Sequence, residues 1–322
     1  MAGTKNGSSD SGLRGKTILL INTGSIKKRL ILQQLKKLGL VVIVLHKEKN
    51  WAQPYIDYWI FADTTNHKES LQAVRDFLKQ NPDITIDGAL TFWEDDVLLT
   101  SRITDAFNLI GIPFSVAQHA RNKFLFREFC EHHSIRSPQH KLIKSIEDCK
   151  YVSEQFTFPL VIKPVYGASS AYVVKVNTDE ELLSTYEYIK KNISLEIESA
   201  LANGLDILAE EYIDGEEVDI DILLQNGKIK FYSITDNFQT REPFFVETGD
   251  AIPSGLPAQD QDHLIELAEE VLEKLGVQNG CIHFEAKSTR RGAVPIEVNL
   301  RMGGDQVYSY VKGAWNLSLI HI

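Results

Sequence analysis

Cys281-Ile282-His283-Phe284-Glu285-Ala286-Lys287, then Ser288-Thr289-Arg290-Arg291-Gly292, then Ala293-Val294-Pro295-Ile296-Glu297-Val298-Asn299-Leu300-Arg301 reads as two strands joined by a loop. Strand side chains alternate between faces. His283 and Glu285 therefore share one face of the first strand, and Glu297, Asn299 and Arg301 share one face of the second. If the loop is symmetric about Arg291, Glu285 and Glu297 stand directly opposite each other. Like charges facing across a ladder are destabilising. A divalent cation between them reverses the sign, and Glu285, Glu297 and Asn299 offer the oxygen donors that hard Mg²⁺ accepts. The alternative left open is that one carboxylate turns to solvent and the pair never meets. His283 reads as a strand histidine with its own partner rather than a ligand.

Upstream, strands are expected over 207–213, 217–224 and 228–234, with a strong helix over 260–275 and a last helix from near Gly304. Leu208-Ala209-Glu210-Glu211-Tyr212-Ile213-Asp214-Gly215-Glu216-Glu217 is a strand reaching a turn and restarting. Its acidic end is able to hydrogen-bond a base or a ribose, or simply to sit in water. Pro159-Leu160-Val161-Ile162-Lys163-Pro164 and Tyr172-Val173-Val174-Lys175-Val176 flank a small-residue loop, Val165 to Ala171, giving a hairpin with a mobile Gly/Ser tip. No Gly-Lys-[Ser/Thr] opens a helix there, so this is no Walker loop. Backbone N–H groups of such a tip still suit phosphates, with Lys163 beside them. A helix is expected at 179–200. Another covers Asn122 to Cys130 and carries Lys123. This half reads as α+β.

The first 115 residues differ in texture. Strands at 17–22, 40–45 and 86–92 alternate with helices at 26–38, 68–80 and 95–108, the pattern of a doubly wound parallel sheet. Gly39 closes the first helix. Only Gly24 follows the first strand, with no G-x-G-x-x-G, which argues against a dinucleotide site. Glu94-Asp95-Asp96 suits a helix N-terminus. Gly111-Ile112-Pro113 marks a boundary, and residues 1–14 read as a disordered arm.

Composition bounds the function. The chain has 322 residues, about two domains' worth, and 34 basic against 44 acidic residues give a net charge of −10. That balance argues against nucleic acid or an anionic membrane as a partner. Three cysteines with no C-x-x-C fit a reducing cytoplasm and imply no zinc cluster. His132-His133 reads as a solvated helix end.

The ordered set of a helix lysine (Lys123), a strand lysine (Lys163) before a Gly/Ser hairpin, Glu-Glu-Tyr-Ile (210–213), Gly-x-Glu (215–217), Glu285 and then Glu297-x-Asn299 resembles the ATP-grasp superfamily over about 115–322. Phe245-Val246-Glu247-Thr248-Gly249 and Pro295 through Asp305 resemble, within it, the carboxylate–amine ligases that join amino acids, the carnosine-synthase-like and L-amino-acid ligases. The resemblance implies a Rossmann-like domain at 15–115 and an ATP-grasp domain at 116–322. The latter would have a mobile small lobe at about 150–212 and a C-terminal lobe at 213–322, with Ile322 falling inside a last helix. It implies ATP and Mg²⁺ as cofactors, with Mn²⁺ able to substitute. Lys123, Lys163, Gly167, Ser169 and Ser170 would hold phosphates, Glu210, Glu211, Tyr212 and Ile213 the adenine, and Glu217 the ribose. Glu285, Glu297 and Asn299 would hold the metal. Arg301 and Lys163 would serve catalysis, and Glu247, Arg301 and Gly304 the small-molecule carboxylate and amine substrates. Asp250 stands where relatives often carry His. The reaction would activate a carboxylate as an acyl phosphate and form an amide or peptide bond. Two rivals keep the frame: a ligase activating bicarbonate or formate, and a non-catalytic nucleotide-binding protein. A homodimer is left open.

Overall fold

The computed structural model describes residues 12–319, so most of the expected arm at 1–14 lies outside the described residues. The chain divides into two compact units after Gly111, four residues ahead of the expected boundary. In the first, strands β1 (Thr17–Ile21), β2 (Val41–His46), β3 (Tyr58–Phe61) and β4 (Gly88–Leu90) form a parallel sheet in the order β3-β2-β1-β4. Helix α1 (Arg29–Lys37) connects β1 to β2, α2 (His67–Gln80) connects β3 to β4, and α3 (Val97–Ala106) follows β4. Leu19, Ile21, Ile43 and Leu45 from the strands pack with Val74, Leu99 and Ile103 from the helices. Such continuous apolar strands are what burial on both faces requires. Strand β3 was not expected: it is four residues long and only Ile60 of it is buried. The expected strand at 86–92 shrinks to three residues.

The second unit opens with α4 (Phe114–Arg121) and α5 (Lys123–His132), the latter capped by the Asn122 side chain. A first antiparallel sheet follows, from β5 (His140–Ile143), β6 (Leu160–Pro164), β7 (Val174–Val176) and β8 (Ile207–Glu211) in the order β5-β8-β6-β7. Helices α6 (Ile146–Gln155) and α7 (Asp179–Asn192) supply its core with Cys149, Val152, Leu182 and Ile189. This is the small lobe. It starts earlier than expected, because β5 and α6 carry too few apolar residues to announce themselves. Helix α7 ends at Asn192, and a separate 3-10 turn at Ser199–Asn203 covers the end of the expected helix. Strand β7 starts at Val174, two residues late, since Ser169, Ser170 and Tyr172 all take positive φ and keep the tip out of a ladder.

A second sheet contains β9 (Glu216–Gln225), β10 (Lys228–Asn237), β11 (Asp250–Ala251), β12 (Gly280–Thr289) and β13 (Gly292–Asn299), in the order β11-β10-β9-β12-β13. Helix α8 (Ala258–Leu275) lies against β12 and β13, and α9 (Val307–Trp315) ends at Trp315; the expected last-helix residues 320–322 lie outside the described residues. Period-two alternation makes the sheet two-faced. Val218, Ile220 and Ile222 of β9 pair with Ala286, Phe284 and Ile282 of β12, all fully buried. The intervening residues form a polar face, and there the site lies.

Candidate active site

On that polar face Glu217, Asp219 and Asp221 of β9 stand opposite Lys287, Glu285 and His283 of β12. Across the other edge of β12, Glu285 pairs with Glu297 and His283 with Asn299. The two glutamates do meet, although not through the loop expected. The hairpin turns through Arg290 and Arg291 alone, and a bulge between Glu285 and Ala286 of the register restores the pairing. The Asn299 amide donates to Glu285 Oε1 at 2.9 Å, and Lys123 Nζ lies 3.0 Å from Glu297 Oε2. Burial first, then Glu297 and Asp219 beside it, push the Glu285 carboxyl well above the usual range. Burial would raise Glu297 too, but Lys123, with Arg121 and Lys163 behind it, turns the net shift downward. A carboxyl whose pKa is raised by a second carboxylate beside it is what a hard dication relieves, and with the Asn299 side chain adjacent the residue set fits Mg²⁺.

His283 is satisfied within the sheet: its Nδ1 lies 3.2 Å from Asp221 Oδ1, and with Asp219 also near, its pKa rises to about 10 against the cost of burial. Asp221 Oδ1 also accepts from the Gly303 N–H at 3.1 Å. Gly303 approaches so closely that a Cβ there would meet Val307 at 2.7 Å. Gly215 is required for a similar reason: with φ +159°, its Cβ would sit 2.4 Å from the Ser288 carbonyl.

Both lysines are buried and already engaged. Lys123 Nζ donates to the Gly167 carbonyl at 3.2 Å as well as meeting Glu297. Lys163 is ion-paired to Glu210, which also takes Arg127 Nε at 3.0 Å. Burial pulls the Lys163 pKa down, and Arg127 and Lys123 add to this against Glu210. Burial alone would raise Glu210, but Arg127 and Lys163 together bring it to about 2. The Glu210 side chain is thus committed to cations beneath the cleft. Glu210 lines the cleft together with Glu211, Tyr212 and Ile213.

One cleft is lined by every candidate residue named from the sequence except Gly304. Glu217, on the rim, pairs with Lys287 Nζ at 3.2 Å, and Lys287 and Lys175 lie over the Tyr212 ring at 5.2 and 4.0 Å. Arg301 donates to the Met302 carbonyl at 2.9 Å. Glu247 is held above the ordinary carboxylate range by partial burial, then by Asp219 and Asp250. The segment carrying it is tied to the small lobe by a bridge from Phe244 to Val174 and by Lys175 to Glu242 at 2.6 Å. Sequence reasoning missed Arg127, Asp219, Asp221, Lys287 and Phe245. The alternation His283-x-Glu285-x-Lys287 was the signal for Lys287. Glu128, Glu131 and His140 also bring ligand atoms within 4.8 Å of one another, but both acids are exposed and none of the three lines the cleft.

Residues 156–309 match the family described as the ATP-grasp domain. Carnosine synthase 1 of Homo sapiens is 24% identical over 96% of this chain and 39% of its own length. Alanine–anticapsin ligase of Bacillus subtilis (strain 168) is 24% identical over 82% of this chain and 58% of its own. The chain thus spans well under two thirds of the length of either relative. The crystal structure of an L-amino acid ligase from Bacillus licheniformis matches with a TM-score of 0.80 at 23% identity, covering 95% of this chain and 72% of that one. At that identity the likeness speaks for the fold. Among the described residues no helix is long and apolar enough to cross a membrane.

Proposed function

We propose that this chain, which carries an ATP-grasp domain, is an ATP- and Mg²⁺-dependent carboxylate–amine ligase joining small amino-acid-like substrates. The observation that carries the reading is the facing pair Glu285 and Glu297, with Asn299 beside them, in one cleft with Lys123 and Lys163. Carnosine synthase and alanine–anticapsin ligase, by their names, join amino-acid-like partners, which supports the substrate class.

A carboxylate is a poor electrophile, and transfer of the ATP γ-phosphoryl to it supplies the leaving group. Lys123 and Lys163 neutralise the phosphates in that step. Glu285, Glu297 and Asn299 would hold the metal, which would supply positive charge against the phosphates. Glu211 through Ile213 take the adenine, and Glu217 the ribose. Gly167 through Ala171 cover the phosphates and keep water from the acyl phosphate. Arg301 presents a planar fork to the acyl substrate. Glu247 receives the ammonium of the incoming amine. Backbone N–H groups near Gly304 are donors for the oxyanion of the tetrahedral intermediate. Glu247 takes one proton so that the free amine attacks, and loss of phosphate from the tetrahedral intermediate, with the second proton leaving on the phosphate, completes the amide.

The test is phosphate release from ATP with Mg²⁺ and pairwise mixtures of amino acids. Release only when both a carboxylate and an amine partner are present is the expected result. Release driven by bicarbonate, or by no pair at all, would sink the reading. Glu297→Gln should cut the rate by about a hundredfold or more with the fold intact.

A further inference from the structure

Near the turn of the β12–β13 hairpin, Lys287 pairs with Val294 and Ala286 with Pro295. Continued unbroken, that register would set Ile296 opposite Glu285. Glu297 would then oppose Phe284 and point to the apolar face. The bulge absorbs one residue, and beyond it Glu285 pairs with Glu297 and His283 with Asn299. A one-residue slip moves every side chain of a strand to the other face. So this single extra residue decides whether the two carboxylates and Asn299 share the cleft.

A bulge leaves ladder groups unpaired and persists where something else holds them. The holder here comes from far away in sequence. Arg127 Nη2 donates to the Ile296 carbonyl at 2.9 Å, while its Nε and Nη2 lie 3.0 and 3.4 Å from Glu210. The side chain is fully buried, with 0% exposure. It therefore joins α5, which carries Lys123, to β8, which carries the partner of Lys163, and to the strand that carries Glu297.

We propose that Arg127 is a positioning residue that clamps the bulge at Ile296 and so registers Glu297 and Asn299 against Glu285. Its hold on Glu210 ties that register to the small lobe. What the registered carboxylates do rests on the ligase reading; the clamp rests on the geometry alone.

Arg127→Lys keeps a cation against Glu210 but lacks the second donor that reaches Ile296, and Arg127→Met keeps only the stem. Two measurements read the clamp. In amide exchange, protection over 295–299 should fall at least tenfold in both variants, with α8 unchanged. In Mn²⁺ titration with ADP, the metal's dissociation constant should rise tenfold or more, while metal-free ADP binding moves less than threefold. A merely structural role would weaken both ligands together. Deleting Ile296 is the second perturbation: without the extra residue, an unbroken ladder already sets Glu297 opposite Glu285. In that background Arg127→Lys should leave Mn²⁺ affinity within twofold of the deletion alone. Unchanged exchange over 295–299 in Arg127→Lys, or an undiminished Mn²⁺ effect in the deletion background, would overturn the clamp. A wild-type chain that binds no Mn²⁺ with ADP would count against the ligase reading, and the exchange result would then decide the clamp by itself.

Discussion

Glu210 and Asp96 are 3% and 2% exposed, one in each compact unit, and their chemistry runs in opposite directions. Glu210 meets two cations, Arg127 and Lys163, and titrates near 2 in spite of its burial. Asp96 meets neutral donors, the side chains of Asn22 (2.8 Å) and Thr64, with Asp95 and Asp63 adding negative charge nearby. Burial dominates there, and its pKa is pushed up to about 6. Desolvation is the same force in both places. What differs is whether the chain supplies a full charge or only dipoles in return. The cation-paired acid belongs to the cleft; the dipole-held one stabilises its unit only when protonated.

The largest test of this contrast is Glu210→Gln. It strands Arg127 and Lys163 as buried unpaired charges, and should cost about 3–5 kcal/mol. Urea unfolding read through segment-resolved exchange in the second unit checks this, and a loss below about 1 kcal/mol would break the comparison. Next come the pH profiles, with opposite signs. The Glu210 contribution is fully present above its ordinary pKa of 4.5 and is lost as pH falls toward 2. The shift corresponds to about 3 kcal/mol. The Asp96 contribution is greatest below 3.8 and is lost as pH rises through 6. Asp96→Asn should therefore stabilise the first unit by up to about 3 kcal/mol at neutral pH and flatten its profile, measured by chemical denaturation at pH 4 and 7. A smaller effect is expected from Asn22→Gly, which suits the φ of +63° there but removes a donor from Asp96, at about 1–2 kcal/mol. Smallest is Lys16→Met, which breaks the 2.7 Å pair with Asp87 where the lysine side chain is 54% exposed, and should cost under about 1 kcal/mol in thermal unfolding.

Local pattern carried much of this molecule. The alternation of His283 with Glu285, and of Glu297 with Asn299, was enough to place polar groups on one sheet face. The apolar runs at 17–22 and 40–45 were enough for the parallel sheet. What stayed illegible was set by distant or weak partners. The bulge at Ile296 is held by Arg127, 169 residues away in the chain, so no reading of the hairpin alone exposes it. The Glu210 carboxylate looked like part of a surface acidic run because its two cations lie on other elements. Strands β3 and β5 are short edges with few buried residues, so hydrophobic periodicity was silent there. Helix α6 did have a signal that went unread, the capping box of Ser145 with Asp148.

Neither lysine in the cleft waits bare for an anion. Lys163 rests on Glu210, and Lys123 is held between Glu297 and the Gly167 carbonyl. Any negatively charged visitor must therefore evict a resident, so occupancy is a swap rather than an addition. Stray chloride or free phosphate gains little from such a trade. For the proposed ligase, a guest that brings its own dication would satisfy the displaced Glu297 in the same act, and the resting ion pairs would then favour metal-loaded nucleotide over a bare anion.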